Sequence, residues 1–163
     1  MNIAIDSDHG GFANAKQKAI AIGSDHGGFA LKKELTPFIE SMGYAVTDFG
    51  CPDETSVDYP DVAFALAEAV ARGEFERGIL ICGTGIGVSI CANRVRGVRC
   101  ALCTDETMAR LTREHNDSNV LALGARIIGG ELAKGVVKAW LSTEFSGAAR
   151  HAGRIDKISR YGC

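Results

Sequence analysis

Short apolar runs and longer amphipathic stretches alternate along this chain, with glycines at many of the switches between them. Ile20–Gly23, Gly78–Cys82, Val98–Thr104 and Val120–Leu123 are runs of strand length, and Tyr44–Phe49 supplies a further strand. Near-continuous apolar runs of this kind mark strands buried on both faces. Helical spacing fills the intervals. Phe29–Met42 puts Phe29, Leu31, Leu35, Phe38, Ile39 and Met42 on one stripe, and Gly43 stops it. Asp61–Arg72, Val88–Arg94, Glu106–His115 and Glu131–Ser142 read as further helices, and a basic segment, Ala148–Ser159, closes the chain. Strand and helix in alternation predict an α/β fold with a parallel sheet covered on both faces.

The start of the chain breaks this rhythm with a near-duplication. The segment from Ile3 to Ala13 recurs from Ile20 to Ala30 and differs only where Asp6 stands against Gly23. Only Asn14–Ala19 separates the first copy from the next strand, whereas a parallel crossover needs about a dozen residues or more. The second copy, followed by a full helix, is therefore expected to form the first core strand. Residues 1–19 read as an extension and 20–163 as the domain. Which Asp-His pair occupies a site, Asp8/His9 or Asp25/His26, stays open at this level.

Ligands of parallel sheets bind beyond the carboxyl ends of the strands. Asp25-His26, Cys82–Gly87, Thr104-Asp105 and Gly124–Arg126 all fall at such ends. The most informative of them is Cys82-Gly83-Thr84-Gly85-Ile86-Gly87, a buried strand running into a three-glycine turn. Glycines let backbone N–H groups converge on one point, and the helical Val88–Asn93 segment adds partial positive charge. A thiolate at Cys82 would be favoured there, with donors ready for a negatively charged intermediate. As a nucleotide motif the run fails, because a third glycine would have to stand at Val88 and no Lys-Ser/Thr pair follows. Asp105 after the next strand keeps a ribose-binding acid open as an alternative, and a plain structural turn is the bland one. His115, near a helix end, has a side chain suited to proton transfer. Arg150 and Arg154 share a helix side around His151 and could grip a phosphate, as could Arg126.

Composition narrows the partners. A formal net charge of −2 gives no reason to expect nucleic acid. No apolar run approaches the roughly 20 residues of a membrane helix, and no secretory leader pattern opens the chain. The six cysteines sit mostly in or beside apolar segments, which fits reduced thiols and a cytoplasmic location. Cys100 and Cys103 lie along a strand, so their side chains should point to opposite faces, without a second ligand pair for zinc.

Taken together, Gly23-Ser24-Asp25-His26-Gly27-Gly28, Ser56-Val57-Asp58-Tyr59-Pro60-Asp61, Arg77–Gly87, Arg113-Glu114-His115-Asn116-Asp117, Leu123-Gly124-Ala125-Arg126 and Arg150-His151-Ala152-Gly153-Arg154 resemble the ribose-5-phosphate isomerase B family. That family also includes galactose-6-phosphate isomerase subunits, and the likeness runs from about Ile20 to Ile158. It implies a Rossmann-like three-layer α/β/α sandwich that binds no nucleotide, metal or organic cofactor. It also implies a homodimer or homotetramer with sites between subunits. The resemblance makes Cys82 the base that moves a proton between sugar C2 and C1, with Thr84 assisting and His115 opening the ring. Asp25, His26, Tyr59 and Asn116 would bind the sugar. Gly83, Gly85, Ile86 and Gly87 would hold the enediolate, and Arg126, Arg150 and Arg154 the phosphate. The implied reaction converts ribose 5-phosphate to ribulose 5-phosphate. Isomerisation of galactose 6-phosphate, allose 6-phosphate or a tetrose phosphate, and non-catalytic binding of a nucleotide or sugar phosphate, are the alternatives.

Overall fold

The computed structural model describes residues 18–161; the first copy of the repeat, with Asp8 and His9, lies outside the described residues. Five strands form one parallel sheet: β1 (Ala19–Ser24), β2 (Ala45–Asp48), β3 (Arg77–Cys82), β4 (Cys100–Leu102) and β5 (Val120–Gly124). Their order across the sheet is β2-β1-β3-β5-β4. Six helices connect or follow them: α1 (Phe29–Ser41), α2 (Tyr59–Ala71), α3 (Ile86–Ala92), α4 (Glu106–Asn116), α5 (Gly130–Ser142) and α6 (Ala149–Arg160). The second copy of the repeat supplies β1, in register with β2 and β3.

Alternation along the central strands divides the core into two layers. Ile20 and Ile22 of β1, with Ile79 and Ile81 of β3, pack against α1 and α5 around fully buried Trp140. Ala21, Leu80 and Cys82 face the other way, onto α2 and α3. Side chains in a strand point alternately to its two faces, and here both faces are covered by helices. This is the three-layer α/β/α sandwich that the resemblance implies. Cys100 packs with the α2/α3 layer and Cys103 with the opposite one, as their spacing along a strand requires. Burial pushes both thiols up to about 12.

Several boundaries differ from the pattern. α2 begins at Tyr59, two residues before Asp61, because Pro60 in the first turn lacks the N–H that a helix start leaves unpaired anyway. α3 begins at Ile86, not Val88, so Gly87 lies inside its first turn, and it ends at Ala92. β4 is shorter than Val98–Thr104. Arg99 N donates to Asn119 Oδ1 and Cys100 N to Asn93 Oδ1, so side chains occupy the start of that edge strand.

Buried charges staple the connections. Lys32 of α1 is 2% exposed and donates to both Asp48 carboxylate oxygens and to the Cys51 carbonyl. Arg77, at the start of β3, donates to the Trp140 and Leu141 carbonyls at the end of α5 and to Glu144. Arg113 of α4 donates to Asp117 and to the Thr143 and Ser118 carbonyls. The orphan carbonyls of a helix end thus find donors in side chains from distant sequence. No described helix is long and apolar enough to cross a membrane.

Candidate active site

The chain leaves β1 to one side to form β2, then crosses back to place β3 on β1's other side. That reversal opens a crevice at the carboxyl ends of β1 and β3, where open parallel sheets take their ligands. Asp25 follows β1 directly. Its carboxylate accepts from Gly28 N at 3.0 Å, closing the short 3-10 turn that carries His26, and its own N–H donates to the Ile81 carbonyl. A Cβ on Gly28 would stand 2.5 Å from that same carbonyl oxygen, so only glycine lets the turn lie this close to β3. Asp25 is buried, while the His26 side chain is exposed.

Cys82 ends β3 and is 5% exposed. Its sulfur accepts from Gly85 N at 3.1 Å, a backbone donor of the kind that steadies charge on a thiolate. Gly85 can make this contact because it is left-handed, at φ 78°, and because a Cβ there would stand 2.5 Å from the Leu102 side chain. The Thr84 hydroxyl accepts from Ile86 N. Two of the turn's N–H groups are therefore spent on Cys82 and Thr84. Burial, and then the proximity of Cys82, raise the Cys91 thiol above its ordinary range.

Two further elements border the turn. After β5, Ala125 N donates to the Cys82 carbonyl and Arg126 N to the Gly83 carbonyl. The exposed Arg126 guanidinium lies over Gly83, about where a Cβ would meet it at 3.3 Å. The Tyr59 ring, at the start of α2, covers Gly87, leaving only 2.8 Å for a Cβ. One edge of the sheet thus assembles Asp25, His26, Tyr59, Cys82, Gly83, Thr84, Gly85, Ile86, Gly87 and Arg126.

The remaining sequence candidates lie elsewhere in the chain. α4 starts beyond the carboxyl end of β4 and runs back, so His115 and Asn116 in its last turn reach the amino edge of the sheet. There the Asn116 carbonyl accepts from Arg99, which precedes β4. α6 lies at the same edge, tied by Ser146 N donating to the Glu114 carbonyl. It carries exposed Arg150 and Arg154 and buried His151, whose ring stacks on His115 at 4.3 Å between centroids. The five residue steps from Arg77 to Cys82 span about 17 Å, so a single chain does not bring His115, Asn116, Arg150 or Arg154 to Cys82. The His115–His151 stack was not legible in the sequence, where His151 read only as part of a basic cluster. Burial, then His115, Arg150 and Arg154, push the His151 imidazole below its ordinary range. Among the described residues, no group of three or more His, Cys, Asp or Glu side chains is placed to hold a metal ion.

A thiol with a backbone donor on its sulfur, at the sheet's switch point and beside an arginine, suits chemistry on a small anionic substrate. Comparison with known proteins points the same way. A family model described as Ribose/Galactose Isomerase matches residues 20–158. Ribose-5-phosphate isomerase B of Escherichia coli is 47% identical over 129 residues, 79% of this chain and 86% of that protein. D-erythrulose-4-phosphate isomerase of Pectobacterium atrosepticum is 46% identical over 132 residues, 80% of this chain and 86% of its relative. The solved ribose-5-phosphate isomerase B of Clostridium thermocellum matches with a TM-score of 0.85 at 55% identity, covering 86% of this chain and 95% of its own. With the sheet order, the thiol-bearing glycine turn and a match over nearly the whole described chain in agreement, this protein belongs to the ribose/galactose isomerase family of sugar-phosphate isomerases.

Proposed function

We propose that the protein interconverts ribose 5-phosphate and ribulose 5-phosphate through an enediolate, at sites each completed by a second copy of the chain. The observation that carries this reading is the Cys82 sulfur beneath the Gly85 N–H at the switch-point crevice. Cys82, as thiolate, takes the C2 proton of the open aldose, and the C2–H electron pair becomes the C1–C2 double bond of the enediolate. The same thiol then returns the proton to C1, while the Thr84 hydroxyl passes a proton between O1 and O2. The N–H groups of the glycine turn that are not spent on Cys82 and Thr84 face the developing charge. Asp25, His26 and Tyr59 border the sugar, and Arg126 approaches its phosphate.

Ribose 5-phosphate is mostly a closed furanose, so a ring-opening group is needed. His115 takes the anomeric hydroxyl proton as the C1–O4 bond breaks and delivers it to O4. Within one chain His115 lies at the wrong edge of the sheet for this, which is why the reading requires a second copy. That copy's α4 and α6 bring His115, Asn116, Arg150 and Arg154 together as one unit.

The Pectobacterium relative, almost as similar as the Escherichia coli one, supports a second substrate, a tetrose phosphate. Proton NMR in D₂O separates the two. Each sugar phosphate is incubated with the protein, following loss of the C2 proton and growth of the ketose. Exchange on ribose 5-phosphate that vanishes in Cys82→Ala supports the first reading. Exchange on erythrose 4-phosphate alone replaces the substrate, and exchange that survives Cys82→Ala removes the assigned base.

A further inference from the structure

α6 is a strongly charged helix with one buried residue, His151. Its docking on α4 is therefore made through an imidazole, where a leucine or phenylalanine would fill the space without a polar cost. The ring is 6% exposed and lies 16° from parallel with His115, at 4.3 Å between centroids. Such a stack blocks one face of His115 and fixes its plane. Its two nitrogens, which lie in that plane, stay free at the ring's edge.

The charged groups around the pair are already committed. On α4, Glu114 pairs with Arg110, and Arg113 with Asp117. In the connection before α6, Glu144 lies between Arg77 and Arg113. Arg150 and Arg154 flank His151 on its own helix. None of the carboxylates described here pairs with either imidazole, so no acid holds the His115 ring in place. The stack does.

Building on His115 as the ring-opening group, we propose that His151 is a positioning residue: its ring sets the plane of His115 so that the His115 nitrogens meet the anomeric and ring oxygens of the closed sugar. Burial, with the neighbouring His115 and the two arginines, favours the uncharged form of His151. A neutral ring under His115 offers its π face, and no like charge, to a proton that His115 carries in transit.

The test uses two substrates that differ in needing ring opening. Ribose 5-phosphate must open. Ribulose 5-phosphate cannot close a five-membered ring, because its C5 oxygen carries the phosphate. In His151→Ala, turnover of ribose 5-phosphate should fall about tenfold or more, as expected for a misaligned proton-transfer group, with deuterium exchange at C1 of ribulose 5-phosphate within about twofold of wild type. His151→Phe keeps a flat ring and should recover most of the ribose 5-phosphate rate. Equal loss on both substrates, or recovery by Leu as good as by Phe, would overturn the proposal in favour of simple helix docking. Wild-type inactivity on both substrates would instead remove the functional reading beneath it. A titration of the imidazole C2–H signals tests the stack without turnover. His151 should titrate below about 6.5 and move upward in His115→Phe, and a midpoint above the ordinary histidine range would contradict the arrangement.

Discussion

Replacing Gly23 by Asp puts into β1 the residue that the first copy of the repeat carries at Asp6, the one difference between the copies. Gly23 pairs with Leu80 in the middle of the sheet and faces α2. A Cβ there would stand 2.8 Å from Val62 Cγ1, 3.4 Å from Leu66 Cδ1 and 3.5 Å from the Phe49 Cβ. Overpacking of this kind costs about 1–3 kcal/mol. The carboxyl group would also enter a wholly apolar layer without a partner, which adds about 2 kcal/mol or more even when it is protonated. Gly23→Asp should therefore lose about 3–5 kcal/mol, a large part of the ~5–15 kcal/mol that holds a domain together. With a urea slope of about 2 kcal/mol per molar, the midpoint falls by roughly 2 M. Gly23→Ala carries the steric part alone and should fall about half as far. Urea unfolding followed by circular dichroism measures both. A Gly23→Asp protein within about 1 kcal/mol of wild type would refute the reasoning, because a segment bearing aspartate could then serve as β1.

Mixing Cys82→Ala with His115→Ala, each inactive by itself, should restore about a quarter of wild-type activity if each site takes Cys82 from one copy and His115 from another in a twofold pair. No recovery after subunit exchange would break the composite site. Arg77→Met should cost about 2 kcal/mol or more in urea unfolding, since it strips the guanidinium donor from the buried Trp140 carbonyl and leaves the Leu141 carbonyl with Tyr44 alone, while exposed Glu144 keeps Arg113 beside it. A loss below about 1 kcal/mol would show that those carbonyls find other donors. Folding favours neutral His151, so its contribution to stability is complete above about pH 6.5 and drains away as the pH falls through its lower folded-state midpoint. The melting temperature of wild type should thus fall more steeply below pH 6.5 than that of His151→Phe, and parallel curves would count against it. Half-buried Cys100 and buried Cys103, with thiols pushed up to about 12, should resist iodoacetamide at pH 8 until the protein is denatured; labelling of either in the native state would contradict their raised thiols.

Element type and order were legible in the sequence because they are local. The apolar run Ile79-Leu80-Ile81, the stripe through Leu31, Leu35 and Ile39, and the glycines after strands each report their own segment's period and backbone needs. Locality also singled out the chemistry: a thiol before a glycine turn, a histidine ending a helix, paired arginines one helical turn apart. Boundaries were less legible where a distant group decides them, as Asn93 and Asn119 do in shortening β4. Lys32 reads as an ordinary surface lysine of an amphipathic helix, yet it is buried on Asp48 and the Cys51 carbonyl.

The sequence by itself determined that this is an alternating α/β chain of the sugar-phosphate isomerase type, with a cysteine at the strand end before its glycine turn. Tertiary structure decided the rest: β5 entering between β3 and β4, the crevice opening between β1 and β3, and the candidate residues dividing between two edges of the sheet. The physical reason is range. Periodicity and turn chemistry act within a few residues, whereas strand pairing joins Ile20 to Arg77 and Gly78 to Val120, and helix direction carries His115 a full strand length from Cys82. Only packing of segments far apart in sequence sets those relations, so only the folded chain reveals that His115 rests on His151, at the opposite edge of the sheet from its own Cys82.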